Sequence, residues 1–171
     1  MANKYELLSN IATITNGKRN AQDAIENGAY PLFDRSSLPK RSNQYLYDKT
    51  AIIVAGEGKS FLPKYYSGKF DLHQRCYAIF DIRNDYIPKY IYYYIHWNQP
   101  YFQSVYIGST VPSLRLGHFE NMPIKSIEIE KQKDVVNILE KIESLILIKQ
   151  SELIRLDELI KSRFIEQEAV A

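Results

Sequence analysis

The most regular pattern of apolar and polar positions lies in the last quarter of the chain, from Lys131 to about Gln167. Apolar residues recur there with alternating steps of four and three, at Val135, Leu139, Ile142, Ile146, Leu153, Leu156 and Ile160. Lys149 and Arg163 occupy two further rungs of the same ladder. No Gly or Pro interrupts the run. This spacing predicts one long helix with a seam at coiled-coil period. At about 1.5 Å per residue such a helix is about 55 Å long, longer than a domain of this size is wide. No other stretch of the chain is long enough to cover the seam. The ladder from Val135 to Ile160, Lys149 included, is therefore expected to be a dimer or partner interface.

Upstream, the apolar runs are short. Leu7–Ile14 reads as one element ending at the Asn16-Gly17 turn. Tyr30–Phe33 reads as an edge strand or a strand start, because Pro31 has no N–H to donate. Thr50–Ala55 is continuous and β-branched, so it is expected to be a strand buried on both faces. Tyr65–Phe70 reads as a hairpin turning at Ser67-Gly68, and Cys76–Ile82 as another strand. Pro88–Trp97 is expected to be a helix with Pro88 in its first turn and Ile91, Tyr94 and Ile95 as its buried stripe. Pro100 opens a second short helix reaching about Tyr106. Ser113 is placed to cap a short turn ending near Phe119. Met122–Glu128 reads as a last strand leading into the long helix. The expected class is α+β: a small mixed-sheet domain with short helices over 1–129, then a long coiled-coil helix over 130–171.

Composition adds an asymmetry. The 171 residues are 45% hydrophobic, ample for a core. The net charge of +2 divides unevenly: 15 of the 22 Lys+Arg but 10 of the 20 Asp+Glu fall at or before Lys125, leaving +5 there and −3 after it. All 14 tyrosines lie at or before Tyr106. A basic, tyrosine-rich head suits an anionic partner such as nucleic acid. There is one cysteine, Cys76, so no intrachain disulfide forms. No apolar run is long enough to span a membrane, and the first ten residues lack the core of a secretory signal. A cytoplasmic setting without membrane partners is expected.

Catalytic motifs fail one by one. Gly58-Lys59-Ser60 after a strand resembles a phosphate-binding loop, but Ile53 stands where the motif needs its first Gly, and Phe61-Leu62-Pro63 argues against the required helix. His73 and Cys76 lie close in sequence, yet a nucleophile and base need an orienting third group, and a buried structural Cys fits better. His96 and His118 show no metal-ligand spacing. No catalytic residue, metal site or cofactor is expected. The cluster of tyrosines over 90–94 is expected to be core rather than a base-stacking platform. The loop over 34–43 reads as either solvated loop or nucleic-acid contact surface.

The order of these pieces resembles one target recognition domain, with its following conserved helix, of the DNA-specificity subunit of type I restriction-modification systems. The resembling residues are Leu8-Ser9-Asn10-Ile11 through Gly17, Gly28-Ala29-Tyr30-Pro31-Leu32, Gly56-Glu57-Gly58, Gly108-Ser109-Thr110, and Met122-Pro123-Ile124 entering a helix with Gln132 near its start. At the last junction the chain departs from the family pattern, reading Ile127-Glu128-Ile129-Glu130 in place of a second proline-rich step. The resemblance implies a non-catalytic subunit that binds half of a bipartite site in double-stranded DNA. It implies methyltransferase subunits as partners, with room for a restriction (nuclease/translocase) subunit. With space for one recognition domain, the chain resembles a half-subunit that homodimerises through its helix. Base and phosphate contacts are then expected from the polar loops: Lys18 and Arg19; Arg35, Ser36, Lys40 and Arg41; Lys59 and Lys64; and Gln74, Arg75, Ser109, Thr110 and Arg115. Lys149 at mid-seam favours an antiparallel pair, because two such ammonium groups would face each other in a parallel one. The alternative is a non-catalytic interaction or scaffold module that oligomerises through the same helix.

Overall fold

A computed structural model describes the backbone of residues 4–170 and the side chains of residues 4–163. Met1–Asn3, read above for a signal segment, and Ala171, at the end of the expected helical region, lie outside the described residues. The fold is α+β. The chain divides into two compact units, Met1–Lys133 and Asp134–Ala171.

The first unit is built on a six-stranded sheet. Its strands are β2 (Thr13–Asn16), β3 (Tyr30–Phe33), β4 (Lys40–Ser42), β5 (Tyr47–Ala55), β6 (Pro63–Leu72) and β7 (Cys76–Phe80), in the order β2-β7-β5-β6-β3-β4. All neighbours are antiparallel except β3 and β6. The carbonyl of Leu72, ending β6, accepts the N–H groups of Lys18 and Arg19 just after β2. The first and fourth strands of the order are thus joined at one end, and the sheet curls on itself. Gly17 is where they approach. A Cβ there would sit 2.0 Å from the Leu72 carbonyl oxygen, so no larger residue fits.

Alternation along β5 sets two cores. Ala51 and Ile53 point into the curl with Phe33, Phe70, Leu72, Cys76, Ala78 and Phe80. Ile52 and Val54, also fully buried, leave the opposite face for the helices. Those are α1 (Pro88–Trp97), α2 (Gln99–Val105) and α3 (Leu116–Glu120). A row of rings runs through this second core, with Phe61 to Phe102 at 5.8 Å, Phe102 to Phe119 at 5.3 Å and Phe119 to Tyr77 at 4.6 Å between centroids. Tyr90, buried, and Tyr101, half-buried, direct their hydroxyls to backbone carbonyls, of Lys125 at 2.8 Å and of His118 at 2.7 Å. Burial pushes the Tyr90 hydroxyl up to about 12. These rings are packing, as a phenol in the core with a satisfied hydroxyl should be. A separate ribbon pairs β1 (Lys4–Leu7) with β8 (Pro123–Ser126), bringing the two ends of this unit together. The last element, α4, runs over Ile129–Val170.

Several local expectations are corrected. Leu7–Ile14 is not one element, because the 3-10 turn Leu8–Asn10 sends β1 and β2 into different sheets. Ser67-Gly68 is no hairpin. β6 continues straight through it against β5, and Gly68 takes φ +123 inside the strand, which only glycine does cheaply. β3 is not the edge strand, since β4 lies outside it within the stretch read as loop. Pro31 instead fits as a strand start, ahead of the Leu32–Phe33 pairing with β6. In α1 the buried residues are Tyr90, Ile91, Tyr93 and Ile95, with Tyr94 half-buried, because the covered face is turned toward the sheet by one position. Ser113 caps nothing. It bridges to Glu57 and Ile107, and Arg115 stands at the N-cap of α3.

Candidate nucleic-acid interface

The polar loops meet at the end of the sheet where β2, β5 and β6 finish. The Gly56 N–H donates to the Arg75 carbonyl at 2.7 Å, and the Leu114 N–H to Gly56 at 2.7 Å. The His73 N–H donates to Phe33 at 2.9 Å and the Gln74 N–H to Arg19 at 2.8 Å. The Gly58 N–H reaches the Pro112 carbonyl at 3.1 Å. Five loops, around residues 17–20, 34–39, 56–60, 73–75 and 107–114, are therefore stitched into one surface by backbone bonds. Within it a recess of about 240 Å³ opens, lined by Asp34, Arg35, Lys40, Glu57, His73 and Arg75 among others.

Charge around this recess is held in pairs. Lys40 lies 3.0 Å from Asp34, and Arg75 lies 2.6 Å from Glu57. Burial pushes the Asp34 carboxyl up, but hydrogen bonds from Ser36 and Lys40 outweigh it and hold the group below the usual carboxylate range. Burial holds the Lys64 ammonium below its usual range, against the pull of the Asp34 carboxylate, and Lys64 donates to the Ser36 carbonyl. Burial likewise keeps His73 below its ordinary value, with Asp34 and Glu57 opposing. A neutral imidazole agrees with its geometry, since Nδ1 accepts the Arg75 N–H at 3.1 Å. Cys76 is buried, with its thiol pushed up to about 12, so it is no thiolate nucleophile at neutral pH.

The expected contact residues divide by their partners. Lys18, Arg35 and Lys59 are exposed and make no side-chain hydrogen bond or ion pair among the described residues. Ser109, Thr110 and Arg115 are exposed on the loop shaped by Gly108 at φ +95. Arg19 is tied to Asp71 at 2.7 Å, and Gln74 donates to Asn20 at 2.7 Å. Lys40, Lys64 and Arg75 carry the ties given above, and Ser36 donates its N–H to Asp34 at 2.8 Å. Arg41 is exposed and is also tied. Its guanidinium donates to the carbonyls of Gly28 at 2.9 Å and Ala29 at 3.1 Å, bracing the turn before β3. Sequence reading missed Asp34, Glu57 and Asp71, whose carboxylates decide which cations are committed. It also left Gln132 without a role, although that side chain is wholly buried and hydrogen-bonded. Among the described residues no cluster of His, Cys, Asp and Glu could hold a metal ion. No helix there is long and apolar enough to cross a membrane.

On α4, Val135 and Leu139 are half-buried, while Ile142, Ile146, Lys149, Leu153, Leu156 and Ile160 are exposed. The five apolar ones keep 45–62% of their surface. Lys149 pairs with Glu152 one turn on, at 2.8 Å.

A model of the type I restriction modification DNA specificity domain matches residues 4–158. The chain belongs to that family. The chain is also similar to the curated Escherichia coli type I restriction enzyme EcoDI specificity subunit, at 28% identity over 152 residues, which are 89% of this chain and 33% of that protein. Two solved structures have the same fold. The type I restriction-modification S subunit from M. genitalium superposes with a TM-score of 0.69 at 16% identity, over 82% of this chain and 39% of the other. The HsdS subunit from Thermoanaerobacter tengcongensis gives 0.64 at 11%, over 84% and 38%. This specificity domain thus spans about a third of the curated relative's length and about two fifths of the solved subunits.

Proposed function

We propose that this chain is a non-catalytic DNA-recognition subunit that positions a partner adenine methyltransferase on a bipartite target. The reading rests on membership in the specificity-domain family, together with the convergence of five polar loops at one end of the sheet. Lys18, Arg35 and Lys59 hold phosphates, and the amide, hydroxyl and arginine side chains around them read base edges. Arg75, whose carboxylate partner Glu57 is only half-buried, exchanges it for phosphate as the DNA arrives. The methyl-transfer chemistry belongs to the methyltransferase, which takes the adenine out of the stack.

The second half of the proposal concerns α4. Its exposed ladder pairs with the same ladder of a second copy, antiparallel, so that the two recognition domains read inverted copies of one half-site. The apolar surface left on Ile142, Ile146, Leu153, Leu156 and Ile160 supports this, because a helix with an uncovered seam in water needs a partner. Methyltransferase subunits, and a restriction subunit where one is present, dock on the assembled pair.

Co-expression with a type I methyltransferase subunit, followed by mapping of methylated adenines in the host DNA, tests the whole. A palindromic motif with an unread spacer is expected. Methylation without sequence preference, or failure to co-purify, would overturn the reading.

A further inference from the structure

The Asp71 side chain is wholly buried at the end of β6, and three donors from three segments close on it. Its Oδ2 accepts from Arg19 Nε at 2.7 Å and from Ser42 Oγ at 3.0 Å, and its Oδ1 from the Leu72 N–H at 3.1 Å. Ser42 Oγ also accepts the Gln44 N–H at 3.1 Å, and Gln44 Oε1 accepts from Arg19 Nη2. The Arg19 backbone is fixed on both sides, donating to Leu72 at 3.1 Å and accepting from Gln74 at 2.8 Å. The guanidinium is thus gripped by Nε and Nη2. Its Nη1 end makes no bond among the described residues, and the side chain keeps 32% exposure. Exposed amides adjoin Arg19: Gln44 on its Nη2, Asn20 next in the chain, and Gln74, whose N–H donates to the Arg19 carbonyl; the Asn16 amide in turn donates to the Gln74 carbonyl at 3.3 Å.

Two physical consequences follow. A guanidinium neutralised by a buried carboxylate attracts phosphate weakly, since net charge is what phosphate rewards. Its free donors still match the paired acceptors on a guanine edge, just as the neighbouring amides match adenine. Its rotamer is also fixed before any DNA arrives, so little entropy is lost on contact. Lys18, Arg35 and Lys59 have the opposite character, because they are exposed and no carboxylate pairs with them among the described residues.

We propose that Arg19 reads a guanine of the target, that Asp71 is the residue that positions it, and that Gln74 reads an adjoining base. This rests on the DNA-recognition reading and assigns specificity within it.

The test uses the purified full chain and a pool of randomised DNA duplexes, with bound sequences counted after selection. Arg19→Lys should lose preference for guanine at one position by about ten- to a hundredfold, with little change in salt dependence. Gln74→Ala should relax a neighbouring position. Lys59→Ala, outside this patch, should weaken binding to every duplex alike and flatten the salt dependence while preserving the preference. Asp71→Asn should lose the same guanine position as Arg19→Lys, a selectivity that a merely structural role would not produce. Should Asp71→Asn fail to fold, Arg19→Lys and Gln74→Ala still decide, since their side chains are at least partly exposed. Unchanged preference at every position in these two variants would overturn this assignment while leaving DNA recognition intact. A parent chain that selects no sequence would overturn both.

Discussion

The side-chain carbonyl of Gln132, at the start of α4, accepts the backbone N–H of Ile87 at 2.9 Å. Its amide returns two bonds of 2.9 Å, to the carbonyls of Asp85 and Ile127. The side chain has no exposed surface. Three backbone groups on two segments therefore depend on one glutamine. It ties the turn before α1 to the chain that leaves β8.

Gln132→Leu should accordingly destabilise the first unit although it keeps apolar volume. Each buried group left without a partner costs about 1–3 kcal/mol. The melting temperature should fall by roughly 5 °C or more. Circular dichroism melts of parent and variant check this. A variant as stable as the parent would mean that water replaces all three bonds.

Arginines in the loops should behave differently from one another. Arg41→Ala removes two bonds to the Gly28 and Ala29 carbonyls and should lower stability by about 1 kcal/mol. Arg35→Ala and Lys59→Ala remove no bond among the described residues. They should leave the melting temperature unchanged and reduce the slope of log affinity against log salt by about 1 each. Affinity titrations over a salt series, beside thermal melts, separate the two classes.

A pH response should come from His73. Burial, the largest influence, holds it below its ordinary value in the folded protein despite Asp34 and Glu57. The unfolded chain therefore takes up this proton first as pH falls. The contribution is complete above about pH 6.5 and is lost as pH drops through the folded value. Protonation also removes the Nδ1 acceptor of the Arg75 N–H. Urea midpoints of the parent should fall more steeply than those of His73→Gln below about pH 6.5. Parallel pH profiles would contradict this.

Much of this architecture is legible in the sequence, and the rest is hidden for identifiable reasons. α4 and β5 are strong because one keeps a four-three apolar spacing without a breaker and the other is a β-branched run. β4 escapes because Lys40-Arg41-Ser42 is polar, as strands at a sheet edge are. Ser67-Gly68 misleads because turn chemistry is local, whereas the pairing of β6 with β5 is not. The loops were recognisable as loops. Which cations in them are committed was not, because Arg19 meets Asp71 across 52 residues and Arg75 meets Glu57 across 18. Only the fold supplies those partners.

The α4 ladder has its own test. Leu153→Asp with Leu156→Asp places charge on two exposed seam positions and should leave the first unit folded. Sedimentation should then give monomers where the parent gives dimers, and the variant should lose preference for paired half-sites. An unchanged dimer, or cross-links placing the two Lys149 residues in a parallel pair, would contradict the antiparallel arrangement.

The central claim is that this chain chooses a DNA sequence. The direct measurement is affinity of the purified chain for a duplex carrying its methylation motif, against the same duplex with one half-site scrambled, at several salt concentrations. The account predicts tighter binding to the intact motif at every salt concentration, with both affinities falling as salt rises. Equal affinity for the two duplexes throughout would contradict it.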